Sequence, residues 1–159
     1  MSARFKSVFP YREIGIDPRI FRPLIPITLI YQKRFAQTAA LLDSGADYNL
    51  FHGDVATYLG IDLTSGIKRH IQGIKGSITG YGHKITLRVN AHRYKTKVIF
   101  SSQIPDNALA VLGNTGFFDH FRVEFNYPQK ITLELPPRNS WSTFIHFILL
   151  SSTFVIRYS

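Results

Sequence analysis

The sequence predicts an all-β domain with one or two short helices, and three observations predict it. Apolar residues recur with the two-residue period of strands along most of the chain, while helical spacing is confined to two short windows. Aromatic residues, led by 13 Phe and 8 Tyr, form 14% of the chain, a bias that suits pleated, half-buried surfaces. Glycine falls at the ends of apolar runs or inside hairpins: in Asp43-Ser44-Gly45-Ala46, between Gly73 and Gly82, and in Val111-Leu112-Gly113. Glycine at such points marks a positive φ or a close approach of backbones.

In chain order, Pro26 to Tyr31 alternates Ile27, Leu29 and Tyr31 with Thr28 and Ile30, the pattern of a largely buried strand. Polar Gln32-Lys33-Arg34 is then a turn into a small-residue strand from Ala36 to Leu42. His52 to Leu59 fits two helical turns stopped by Gly60. Ile85 to Val89 is a half-buried strand, with Lys97 to Phe100 as its expected partner. Leu109 to Leu112 is an unbroken apolar run, expected to be a strand buried on both faces. Asn114 or Thr115 can cap a second short helix reaching about Phe121. Val123 to Phe125 and Ile131 to Leu135 flank Asn126-Tyr127-Pro128-Gln129 as a hairpin.

A length of 159 residues suits one core, with no internal repeat or low-complexity tract. The absence of cysteine excludes a disulfide framework, cysteine-ligated zinc and a thiol nucleophile. The six His show no metal-ligand spacing, and His52, His70, His83, His92 and His120 are expected on the surface or in turns. No metal and no cofactor are therefore expected. Ser44 lies outside a Gly-x-Ser-x-Gly elbow, and Gly73 to Gly82 lacks the phosphate-cradling glycine spacings.

The net charge of +9 raises nucleic acid, acidic partners and anionic membranes as candidates. The cations are scattered, however, and the densest set (Lys84, Arg88, Arg93, Lys95, Lys97) falls on two strands and their turn. Alternation puts Arg88 on the face opposite Ile85, Leu87 and Val89. That face reads as solvated, so nucleic acid is not expected as a partner. No apolar run of signal-peptide length follows the N-terminal cations, which favours a cytoplasmic location. Asn139 to Ile156 is an 18-residue stretch without Asp, Glu, Lys or Arg. Docking on the domain or its partner is the first reading of this tail, and membrane association is the second.

Asp43 follows Ala39-Ala40-Leu41-Leu42, so its carboxylate emerges from a buried strand onto a tight Ser-Gly turn. Such an Asp can simply bond turn amides. Catalysis would need a second carboxylate, because two adjoining carboxyls share one proton and can act together as base and acid. A chain with one such loop must take the second from an identical subunit across a two-fold axis.

The segment Ala40-Leu41-Leu42-Asp43-Ser44-Gly45-Ala46-Asp47 resembles the active-site loop of retropepsin-like aspartic proteases. Ala110-Val111-Leu112-Gly113 resembles their hydrophobic-hydrophobic-Gly signature, followed by Gly116-Phe117-Phe118-Asp119-His120-Phe121 as the short helix. Ile71-Gln72-Gly73-Ile74-Lys75-Gly76 resembles the flap hairpin. The resemblance covers roughly Pro23 to Leu135. It implies a single-lobed acid-protease barrel spanning residues 23–135, with residues 1–22 as an N-terminal extension and 136–159 as an apolar tail.

The resemblance further implies that Asp43 is the catalytic aspartate, paired with its own copy, in an active-site loop completed by Ser44, Gly45 and Ala46. Ser44 would bond across the two-fold. The Gly45 carbonyl and Asp47 would bind substrate backbone, and Gly73, Ile74 and Gly76 would form the mobile flap. Two features depart from the viral members: serine stands where threonine is usual, and Asn114 stands where they carry arginine. The helix start is closer to bacterial single-domain members. The expected function is a homodimeric aspartic endopeptidase acting on peptide or protein substrates. The alternative is the same dimeric fold serving as a binding module for nucleic acid or a protein partner, with little or no hydrolysis.

Overall fold

The computed structural model describes residues 5–15, 19–73 and 76–136. The chain's main hairpin turns at Gln32, whose φ is 51°. It joins β4 (Leu24–Tyr31) to β5 (Arg34–Leu42) in antiparallel register from Leu24↔Leu41 to Tyr31↔Arg34. Five further pairings carry the sheet round. β5 runs parallel to β10 (Ala110–Leu112), which is antiparallel to β6 (Leu50–His52). β6 runs parallel to β9 (His92–Ser101), and β9 is antiparallel to β8 (Gly76–Val89). Finally, β8 returns to β4 at Thr28↔Arg88 and Ile30↔Thr86. The six strands therefore close into a barrel, which leaves no open edge among them.

Alternation fills the barrel. Ile25, Ile27 and Leu29 of β4, Ala40 and Leu42 of β5, and Ile85, Leu87 and Val89 of β8 all point inward and are buried. Val98, Phe100, Phe51 and Leu112 complete this core. Each large side chain contributes about 1.5–3 kcal/mol by leaving water. A second sheet packs on it in the order β1 (Lys6–Pro10), β12 (Lys130–Glu134), β11 (Arg122–Asn126), and it inserts Phe9, Ile131 and Leu133 into the same core. Lys6–Pro10 falls inside the stretch expected as an extension, and here it is a strand held to β12 and tied by a 2.8 Å Lys6–Glu134 ion pair. The short strands β2 (Arg12–Glu13) and β3 (Phe21–Arg22) pair with each other. The β11–β12 hairpin turns through a cis Tyr127–Pro128 bond.

β8 is 14 residues long, more than the barrel needs. Its first half pairs instead with β7 (Ile67–Gly73), from Ile67↔Gly82 to Gly73↔Gly76. The result is a long, largely exposed hairpin rising from the barrel wall. Ile74, expected in the flap with Gly73 and Gly76, lies outside the described residues.

The one α-helix among the described residues, α1 (Gly53–Leu59), is capped at its start by His52, whose Nδ1 accepts from the Asp54 amide at 3.2 Å. It stops at Gly60 with φ 76°. The second expected helix does not form: residues 114–121 are a series of turns. Gly116 has φ +102° there, and its carbonyl is taken by the Tyr94 hydroxyl and Thr96 Oγ1, each at 3.0 Å. The His120 amide bonds Phe117 instead. The strand expected to be buried on both faces is covered on one: Leu112 is buried, but Val111 is only half-buried. Among the described residues no helix is long and apolar enough to cross a membrane. The apolar tail lies outside the described residues.

Candidate active site

The site grows from the parallel pair β5–β10. The two strands end side by side at Leu42 and Leu112. The Asp43 amide still bonds the Leu112 carbonyl at 3.0 Å, so the ladder holds Asp43 before the chain turns away. The turn is closed twice. The Ala46 amide donates to the Asp43 carbonyl at 3.1 Å, and the Gly45 amide donates to Asp43 Oδ1 at 2.9 Å. A Cβ at Gly45 would stand 3.2 Å from that same carboxylate oxygen. One carboxylate oxygen is thus oriented by the loop, while Asp43 remains half-buried at its mouth.

The loop is braced from the opposite side by residues after β10. The amides of Asn114 and Thr115 donate to the carbonyls of Ala46 and Asp47, each at 2.8 Å. Asn114 Nδ2 donates to the Ser44 carbonyl at 3.0 Å. Gly113 is wedged beneath, where a Cβ would meet the carbonyl oxygens of Tyr48 at 2.5 Å and Ala46 at 2.6 Å. Its amide donates to Oδ1 of the fully buried Asn49 at 3.0 Å, and Asn49 Nδ2 reaches the Lys97 carbonyl at 3.3 Å. Below this, Tyr94 stays neutral, because burial pushes its phenol far up, and it anchors the Gly116 turn.

The chain is similar to the crystal structure of a retropepsin-like aspartic protease from Rickettsia conorii, at 16% identity and a TM-score of 0.59, over 82% of this chain and 98% of that one. The chain has the retropepsin-like fold. A second similarity is to EIAV protease complexed with the inhibitor HBY-793, at 20% identity and a TM-score of 0.47, over 64% of this chain and 88% of that one. At these identities the likeness concerns the backbone fold. No protein-family model matches the chain, and no curated protein does.

Within this retropepsin-like fold the expected site residues fall in two places. Asp43, Ser44, Gly45, Ala46 and Asp47 share one loop, with Ser44, Gly45 and Asp47 exposed. Gly73 and Gly76 face each other at the end of the β7–β8 hairpin, Gly76 with φ +119°. The hairpin is tied down at its middle by Gln103, whose Oε1 accepts from the Thr79 amide at 2.7 Å, and by Ser101, whose hydroxyl donates to the Thr79 carbonyl at 2.6 Å.

Sequence reasoning missed Asn49, Gln103 and the bond from Asn114 to Ser44. A lone Asn or Gln carries no pattern, and each partner is distant in sequence. Of the histidines expected on the surface or in turns, His70 is exposed and His120 lies in a turn, whereas His92 opens β9. His92 and His120 are half-buried, their Nε2 atoms 2.8 Å apart, and the His120 ring stacks on Tyr94 with centroids 3.8 Å apart. His83 Nε2 bonds the Leu63 carbonyl at 2.9 Å. No group of three metal-binding side chains occurs among the described residues.

Proposed function

We propose that this chain is the protomer of a homodimeric aspartic endopeptidase of the retropepsin-like family, with Asp43 supplied by each subunit. The observation that carries the reading is the Asp43 loop itself. A carboxylate stands at the end of a barrel strand, one oxygen is held by the Gly45 amide, and the loop is locked to the strand carrying Leu112-Gly113. A turn residue needs only the first of these bonds; the bracing by Asn114 and Thr115 fixes where the carboxylate points.

Two such carboxyls across a two-fold hold one proton between them. The ionised one removes a proton from water as the water oxygen attacks the peptide carbonyl carbon. The protonated one gives its proton to the carbonyl oxygen. The tetrahedral diol then breaks its C–N bond while a proton passes to the leaving nitrogen, giving a carboxylic acid and an amine. Ser44 bonds the opposite loop, and Gly45 and Asp47 hold substrate backbone. The hairpin ending at Gly73 and Gly76 closes over the substrate as a flap. No cofactor enters these steps.

Asp43→Asn keeps the side-chain shape and the acceptor for the Gly45 amide while removing the ionisable pair. Melting temperature should change little, and cleavage of a peptide library should be lost. Cleavage surviving in the purified variant would overturn the proposal.

A further inference from the structure

The outer wall of the barrel, away from Asp43, carries a second surface. Cross-strand register places its side chains in rows on one face of β5, β4, β8 and β9. One row holds Phe35, Ile30, Thr86 and Lys95, and the next holds Gln37, Thr28, Arg88 and Arg93. Lys84 and Lys97 oppose each other one step further along β8 and β9. Those four strands contain no Asp or Glu. Two like-charged pairs, Lys84/Lys97 and Arg88/Arg93, therefore sit directly across a ladder, an arrangement that costs stability. The ion pairs found among the described residues involve none of these five cations. The Arg88 guanidinium donates to the Thr28 hydroxyl at 3.2 Å.

The face is recessed as well as basic. A groove of about 560 Å³ runs between the β4–β5 turn and Lys84, Thr86, Lys95 and Lys97. A second groove of about 440 Å³, holding Arg88, Thr28, Gln37 and Asn90, lies beside it. On β9 the cations Arg93, Lys95 and Lys97 repeat at about 6.8 Å, two residues of antiparallel strand, while on β8 Lys84 and Arg88 stand four residues, about 14 Å, apart. At the far end of the Lys95 row stands Phe35, 59% exposed and about 14 Å away across three strand spacings.

From this geometry we infer that the β8–β9 wall binds single-stranded nucleic acid, with phosphates on Lys84, Lys95, Lys97, Arg88 and Arg93 and a base stacked on Phe35. A recessed basic face with an exposed aromatic ring at its edge is how sequence-tolerant single-strand binding is built. A flexible phosphodiester can follow recessed grooves, whereas a flat anionic bilayer meets only their rims. The surface is independent of the hydrolytic reading, since none of its residues belongs to the Asp43 loop or the flap.

The test uses the full chain and a fluorescently labelled single-stranded oligonucleotide, followed by anisotropy over a salt series. Two triple variants lose the same charge: Lys84→Gln/Lys95→Gln/Lys97→Gln on the wall, and Arg12→Gln/Arg122→Gln/Lys130→Gln elsewhere. The wall variant should weaken binding about tenfold or more and lower the salt slope by about one per lysine removed, and the other should change little. Phe35→Ala should weaken binding without altering the slope. Equal losses in both triples would reduce the effect to net charge and overturn the assignment. So would wall-dependent binding to phosphatidylserine vesicles with none to the oligonucleotide. If the glutamine triple does not fold, comparing the corresponding Lys→Arg triple with Lys95→Gln alone reads the same contrast.

Discussion

Gly113 shows how much of the site rests on a missing methyl group. Its position after Ala110-Val111-Leu112 is visible in the sequence, but the reason for glycine is not. It lies in two carbonyl oxygens, of Tyr48 and Ala46, that would stand 2.5 and 2.6 Å from a Cβ. Asn49 was equally hidden, because its bond to the Gly113 amide spans 64 residues and one asparagine has no periodicity to betray it. Gly113→Ala must push the Asp43 loop off β10 or strain the backbone, an overpacking cost of about 1–3 kcal/mol. We expect a lower melting temperature and a disproportionate loss of hydrolysis, since the displaced carbonyls belong to the loop that aims Asp43. A variant with wild-type melting and wild-type turnover would show that the wedge does not position the loop.

At the scale of elements, local pairings were legible and distant ones were not. The β4–β5 and β11–β12 hairpins announce themselves through alternation and turn residues. The closure of the barrel does not, because it depends on the three-residue strands β6 and β10 and on β8 returning to β4. The helix expected after Asn114 failed for a tertiary reason, since Tyr94 and Thr96 take the Gly116 carbonyl. That same turn is tied to β9 by His92 and His120. Burial lowers both imidazoles; for His120 the neighbouring His92 lowers it further, and Asp119 works in the opposite direction. The contact between the two Nε2 atoms needs one ring to accept, which a doubly protonated pair cannot do. Their native state therefore binds protons less readily than the unfolded chain. Stability is fully present above the ordinary histidine value of about 6.5 and is lost as pH falls below it towards the lowered native values. Melting temperature should drop between pH 7.5 and pH 5, and His92→Phe, which keeps a stacking ring, should flatten that drop. An unchanged slope in His92→Phe would place the acid sensitivity elsewhere. A dyad that works while holding one proton would then operate on the unfavourable side of this switch.

For the whole molecule the deciding quantity is concentration. One chain has one Asp43 loop, and among the described residues the barrel offers no second aspartate at the end of a strand paired like β5 with β10. If hydrolysis needs two carboxylates, the active species is a pair of chains, and its population falls with dilution by mass action. Specific activity should then decline over the concentration range in which sedimentation shows dimer giving way to monomer. Mixing supplies an independent reading. Asp43→Asn chains fold and pair with wild-type ones, but each mixed pair lacks one proton-sharing carboxyl. With exchange complete, activity per wild-type chain should fall in proportion to the wild-type fraction of the mixture, because only wild-type pairs cleave. A monomer that keeps full specific activity, or activity untouched by excess Asp43→Asn chains, would mean that a single loop suffices and that the two-fold mechanism is wrong.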